Sequence, residues 1–194
     1  MIHITIGLLW GLNEGLWFFI VPDVCLSFSA LSGWRAAALA TLGAVVGSLF
    51  AAALLFVGVS LQPEWGDMLQ NFWSQLPGYY PKMLEVANEH LKVSGAQGLL
   101  SGPSSGIPYR FYVLEALREG LSIFSILLWT PIARLERIII APIVVLVLRA
   151  AARRWFEKNH SDKKRNKLFL KYLIIIYWVI IYIWYWGQLL PNKY

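Results

Sequence analysis

Residues 36–61, AAALATLGAVVGSLFAAALLFVGVSL, contain no charged side chain. About 20 apolar residues in a helix cross a bilayer's hydrocarbon core, so this run is long enough to span with some tilt. The whole chain agrees with it. It is 58% hydrophobic and 14% charged, with a mean hydropathy of +0.56, whereas an average soluble domain is about 25% charged. The reading is an integral membrane protein with a single membrane domain over residues 1–194. Within the run, Gly43-xxx-Gly47 with Ala44 and Ser48 beside it forms a small-residue stripe that lets another helix approach closely.

A second span is read over residues 172–190, YLIIIYWVIIYIWYWGQLL, flanked by Lys171 and Lys193. Its length and its aromatic anchors favour a spanning helix over a buried strand. Residues 121–148 give a third. Neither 121–133 nor 138–148 is long enough alone, but joined they make one helix, expected to kink at Pro131 and Pro142. That places Arg134, Glu136 and Arg137 near the bilayer midplane, where a charge costs about 2.5–3.5 kcal/mol and normally faces protein or a wet cavity. The alternative is two surface-lying halves whose arginines reach lipid phosphates.

Two further segments are too broken to span. Residues 1–34 are interrupted by Asn13-Glu14 and by Pro22-Asp23. Residues 94–120 carry SGPSSGIPYRFYVLEALREG, in which Gly102, Pro103, Gly106 and Pro108 break the helix beside Arg110. Short apolar arms around such breakers read as re-entrant hairpins, tolerated at depth where the loosened backbone lines a cavity or is buried in protein.

The basic residues orient the chain. Nine of the 17 Lys and Arg residues lie between Arg149 and Lys171, so 149–171 is expected to be a cytoplasmic loop. Residues 36–61 then run outward and 121–148 inward. Residues 62–93 lie outside, with an interfacial helix whose face is Met83, Leu84, Ala87 and Leu91. Hairpin plus outward span (1–61) is thus followed by hairpin plus inward span (94–148), an inverted pair that points to a transporter site near the midplane. The expected fold class is an all-α polytopic membrane protein with two oppositely oriented re-entrant hairpins and about three spanning helices.

Several classes are disfavoured. The charge of +6 is explained by basic residues beside apolar spans better than by a nucleic-acid partner. Cys25 alone excludes an internal disulfide and a cysteine metal cluster. No Lys or Arg precedes the first apolar stretch and Glu14 interrupts it, so that segment is expected to remain in the mature protein. His3, His90 and His160 are isolated, and no metal or cofactor is expected. Ser101, Ser104 and Ser105 lie in turn composition without a nucleophile elbow. Glu115, Arg118 and Glu119 read as a solvated or interfacial stripe on one helix face. No constellation for covalent chemistry is found, which favours a transporter over an enzyme.

NEGLWFFIVPDVCLSFSALSGWRAAALATLGAVVGSLFAAALLFVG resembles the first block of the DedA superfamily, also called the VTT or SNARE-associated Golgi protein family. There an acidic residue precedes a hydrophobic stretch ending in a proline with an acidic neighbour, followed by a Gly-rich span. GPSSGIPYRFYVLEA resembles the second block, closest to the YqaA-like branch with its motif of roughly Ile-Pro-Tyr-Lys-x-Phe. The match covers about residues 10–148. It implies two facing re-entrant hairpins and a role in flipping or scrambling phospholipids or recycling undecaprenyl phosphate, with proton coupling. By position it implies Glu14 and Asp23 as the acidic residues and Arg110 as the arginine of the second block. Arg134 and Arg137 fall where the branch has Gly-Arg-x-x-Arg-Phe, here Ala133-Arg134-Leu135-Glu136-Arg137-Ile138. The chain departs from the pattern at Leu55-Phe56-Val57-Gly58, where Tyr-x-x-Gly is usual. It departs again at Glu115-Ala116-Leu117-Arg118-Glu119, where small residues are usual, and 172–190 has no counterpart.

Guanidinium groups suit a lipid phosphate, because their fork of donors binds its oxygens bidentately, and broken-helix N-termini add attraction for the same anion. Arg110, Arg134 and Arg137 are the candidate phosphate ligands. Glu14 and Asp23 are proton carriers, since carboxyl groups in a low dielectric can exchange protons near neutral pH, or else static arginine counter-ions. The expected function is a lipid or lipid-phosphate flippase or scramblase in a bacterial inner membrane. Its partners are membrane lipids and anionic head groups, with protons and a homo-oligomer left open. The alternatives are a proton-coupled exporter of small solutes or cations and a membrane adaptor using residues 149–171.

Overall fold

The computed structural model describes residues 1–76, 78–158 and 163–189, and their regular structure is entirely helical. Ten α-helices follow one another: α1 (Ile2–Leu16), α2 (Asp23–Ala30), α3 (Trp34–Leu61), α4 (Glu64–Ser74), α5 (Lys82–Ser94), α6 (Gly102–Ser105), α7 (Tyr109–Arg118), α8 (Ile123–Ile138), α9 (Ile140–Lys158) and α10 (Lys163–Leu189). A 3-10 segment, Gly95–Ser101, joins α5 to α6. Among the described residues, two helices are long and apolar enough to cross a membrane, α3 and the stretch Leu168–Tyr185 of α10.

The tightest packing follows from glycine. The Gly43 and Gly47 stripe of α3 meets α1, which carries Gly7, Gly11 and Gly15 at the same spacing. A Cβ on Gly7 would strike the Ala40 carbonyl oxygen, one on Gly11 that of Ala44, one on Gly43 that of Ile4 and one on Gly47 that of Leu8. Neither helix could carry side chains here and keep the approach. Ala40, Ala44 and Ala51 of α3 are fully buried in the same seam.

Helix breakers set the remaining boundaries. Gly106 takes the left-handed conformation (φ +71°) that ends α6, its N–H donating to the Gly102 carbonyl at 3.1 Å. Pro103 sits in the first turn of α6, where a missing N–H does no harm, and Pro108 turns the chain into α7. Residues 17–22 are an irregular crossing between α1 and α2, closed by Pro22 ahead of Asp23.

Residues 121–148 are two helices instead of one kinked span. The break falls at Ile139. Pro142 has no N–H to offer the carbonyl four residues back, that of Ile138, and its ring crowds that group, so the chain restarts with Pro142 in the first turn of α9. Pro131 stays inside α8. The basic stretch 149–171 is also helical on both sides, running to Lys158 in α9 and resuming at Lys163 in α10. Ala150 to Ala152 and the arginines beyond them are good helix formers. Residues 159–162, with His160, lie outside the described residues.

The face of α5 is turned to protein. Leu84, Ala87 and Leu91 are buried against α7 and the 3-10 segment, with Met83 half-buried beside them. Glu115 is likewise no solvated residue. It is 7% exposed, accepts from Arg118 Nη1 at 2.7 Å and from Asn88 Nδ2 at 3.1 Å, while Arg118 also reaches Asp67 at 2.6 Å, tying α4, α5 and α7 together. His90 is not isolated: Nδ1 lies 2.8 Å from the Tyr112 hydroxyl, which in turn meets Ser105 Oγ at 3.1 Å. His3 Nδ1 lies 3.3 Å from Ser29 Oγ. Phe50 and Leu54 of α3, Phe124 and Leu128 of α8 and Val147 of α9 leave apolar side chains on the outside.

Candidate functional site

The α1–α2 crossing would expose carbonyls with no helical partner, and a buried carbonyl must find a donor. Three side chains supply them. Trp73 Nε1 donates to the Leu16 oxygen at 2.7 Å and Trp10 Nε1 to that of Ile20 at 2.9 Å. Arg110 Nη1 donates to the Phe18 oxygen at 2.9 Å and the Glu14 oxygen at 3.3 Å. On the donor side, the Val21 N–H reaches the Tyr182 hydroxyl of α10 at 3.0 Å. The guanidinium at the C-terminus of α1 also meets the negative end of that helix. Arg110 starts α7, directly after the Gly106–Pro108 break, so the two broken segments meet through it.

Around this contact the charged side chains assemble. Glu14 Oε2 accepts from Arg134 Nη2 at 2.7 Å, and both residues are 4% exposed. Arg137, one helical turn further along α8, lies 3.9 Å from Asp23 Oδ2 through its Nε and is about one-third exposed. The structure therefore brings Glu14, Asp23, Arg110, Arg134 and Arg137 into one cluster, whereas Glu136 points away and is exposed. Their environments differ. Arg134 is locked, its guanidinium over the Tyr109 ring at 5.1 Å, with Tyr109 itself held by Thr130 Oγ1 at 2.6 Å. Arg110 lies over Trp73 and Phe111 at 5.6 and 5.1 Å. Three buried atoms in the cluster lack a hydrogen-bond partner: Asp23 Oδ2, Arg110 Nε and Arg134 Nε.

A cavity of about 750 Å³ adjoins the cluster. Its polar end is formed by Glu14, Asp23, Arg110 and Arg137, with Gly106 and Pro108 at the rim. The rest is the apolar trough between α9 and α10. Ile140 and Val144 line one side and Ile176 and Ile180 the other, and all four are at least half exposed, so the trough opens sideways between the two helices. The hydroxyl-bearing rings Tyr177, Tyr182 and Tyr185 also line the cavity.

Arg134 is absent from the cavity wall and acts behind it, through Glu14. Gly43 and Gly47 belong to the α1–α3 seam and hold Glu14 in place from a distance. Sequence reasoning missed Trp73, Tyr182 and Trp178, the last of which donates to Ser27 Oγ at 3.2 Å. An indole or phenol inside an apolar run is the signal that could have found them, because its polar atom needs a partner once buried. No known family model matches this chain, nor does any curated protein or solved structure.

Proposed function

We propose that the chain is a DedA-like integral membrane protein that moves lipids or lipid phosphates between the leaflets of a bacterial inner membrane. One observation carries the reading: a cavity with four charged side chains at one end and a trough at the other, open sideways between α9 and α10. An amphiphile has this form. The phosphate would sit by Arg137 and Arg110, and the chains would lie against Ile140, Val144, Ile176 and Ile180 and continue into the bilayer. A small-solute exporter has no use for such a flank.

The helical organisation supports the same reading. With about 1.5 Å per residue, α3 reaches about 42 Å and α2 only about 12 Å, so α2 is suited to entering a bilayer and leaving by the same side. In this reading α1–α2 and the 3-10/α6–α7 unit are the two re-entrant hairpins, meeting at the Arg110–Phe18 contact, and each precedes a further helix, the 28-residue α3 and the 16-residue α8. The basic ends of α9 and α10 face the cytoplasm. Glu14, held by Arg134 at 2.7 Å, and Asp23, 3.9 Å from Arg137, serve as counter-charges to the arginines.

The test is translocation of acyl-labelled phospholipid in proteoliposomes, comparing wild type with Arg137→Gln. Wild type is expected to move lipid well above empty vesicles, and the variant to move anionic lipid at least about tenfold more slowly while remaining monodisperse in detergent. Wild-type movement equal to that of empty vesicles, with and without a proton gradient, removes the reading.

A further inference from the structure

The cluster has a charge of its own, and the cavity must match it. Glu14, Asp23, Arg110 and Arg137 line the polar end, and Arg134 stands directly behind Glu14 at 2.7 Å. Among the described residues no other charged side chain lines the cavity. Three guanidinium groups against two carboxylates leave a net +1, with Glu14 paired to Arg134 and Asp23 facing Arg137. Four of the five residues are 3 to 6% exposed, so water compensates that charge poorly. The ligand has to supply the balance. A phosphodiester head group with one net negative charge brings the filled site to zero. A zwitterionic head group leaves it at +1. A phosphomonoester carries about −1.5 to −2 near neutral pH and drives it negative.

Resting on the translocation reading above, we propose that this site selects its lipid by net head-group charge, taking a singly charged phosphodiester lipid in preference to a zwitterion or a phosphomonoester dianion. The selection acts at the polar end alone, since the trough between α9 and α10 offers only apolar contacts and phenol rings, which treat all acyl chains alike. Individual side chains then matter through the total they sum to. Arg137→Gln sets the site to zero, Asp23→Asn raises it to +2, and the double variant returns it to +1 with neither residue present.

The experiment measures initial rates for acyl-labelled phosphatidylglycerol, phosphatidylethanolamine and phosphatidic acid in proteoliposomes at about pH 8, where the phosphomonoester is largely dianionic. Only ratios between lipids within one protein are compared, so a variant that reconstitutes poorly still reports its preference. Wild type is expected to move phosphatidylglycerol on the order of tenfold faster than the other two. Arg137→Gln should favour phosphatidylethanolamine, Asp23→Asn should favour phosphatidic acid, and the double variant should regain the wild-type order. If all four proteins share one order, or the double variant fails to regain it, charge selection is overturned. Equal wild-type rates for the three lipids overturn it too and leave translocation standing. Movement of none above empty vesicles removes both.

Discussion

Glu14 and Arg134 meet at 2.7 Å, each 4% exposed, with the Arg110 guanidinium donating to the Glu14 carbonyl on the other side. Replacing Glu14 by Gln keeps the shape and leaves Arg134 a buried, uncompensated cation close to a second one. At about 4 Å between charge centres and an effective dielectric of about 20, the lost attraction is about 4 kcal/mol. Breaking a buried pair from one side commonly costs about 3–5 kcal/mol. For a domain of this size each kcal/mol lowers the Tm by about 2–4 °C, so Glu14→Gln should unfold about 6–20 °C below wild type. Arg134→Met should fall in the same range, since it strands the carboxylate. The double variant Glu14→Gln/Arg134→Met removes both charges and should lie closer to wild type than either single variant. Tryptophan fluorescence of detergent-purified protein, heated at one fixed scan rate, gives all four values. If the double variant loses the sum of the two single losses to within about 0.5 kcal/mol, the two residues do not act as a pair and the reasoning fails.

Two further substitutions test the scaffold beneath the cluster. Gly47→Val should destabilise by about 3 kcal/mol or more, because its side chain would enter the Leu8 carbonyl, whereas Gly187→Val, with no atom within 4 Å, should leave the Tm unchanged. Trp73→Phe keeps the ring beside Phe111 but removes the donor to the Leu16 oxygen, so it should cost about 1–3 kcal/mol in the same melts, and a loss under about 0.5 kcal/mol would mean that carbonyl is otherwise satisfied.

Much of the helix plan is legible in the chain, because it depends on local chemistry. An uncharged stretch such as 36–61 must be helical whatever it packs against. Gly106 and Pro108 two residues apart disfavour a continuous helix, whereas Pro131 alone is carried inside α8. The gathering of Glu14, Asp23, Arg110, Arg134 and Arg137 could be suspected from their rarity in apolar sequence. Their pairing could not. Arg134 and Arg137 are one turn apart on α8, and nothing in the spacing of IARLERI says which faces Glu14 and which Asp23. That is decided by how α1 and α2 lie across α8. The same limit hides the face of α5, whose apolar period is equally suited to lipid and to α7.

The C-terminal helix shows why a missing counterpart is not a missing role. Residues 172–190 offer only an apolar, aromatic run, and most of Leu168–Tyr185 remains outside the protein core. Leu170 and Ile174 pack it against Ala30, Leu31, Ala37 and Val145, and two polar contacts fix it further along. Tyr182 takes the N–H of Val21 at the α1–α2 crossing, and Trp178 donates to Ser27 of α2. This packing and those two bonds place α10 across the cavity from α9, and without α10 the charged cluster would have no trough beside it. The cluster alone could serve any anion; α10 adds the long apolar flank, on which the proposed preference for an anion that carries acyl chains rests. In the proposed reading, the feature that would distinguish a lipid site from a solute site is therefore set by the helix that sequence resemblance left unassigned.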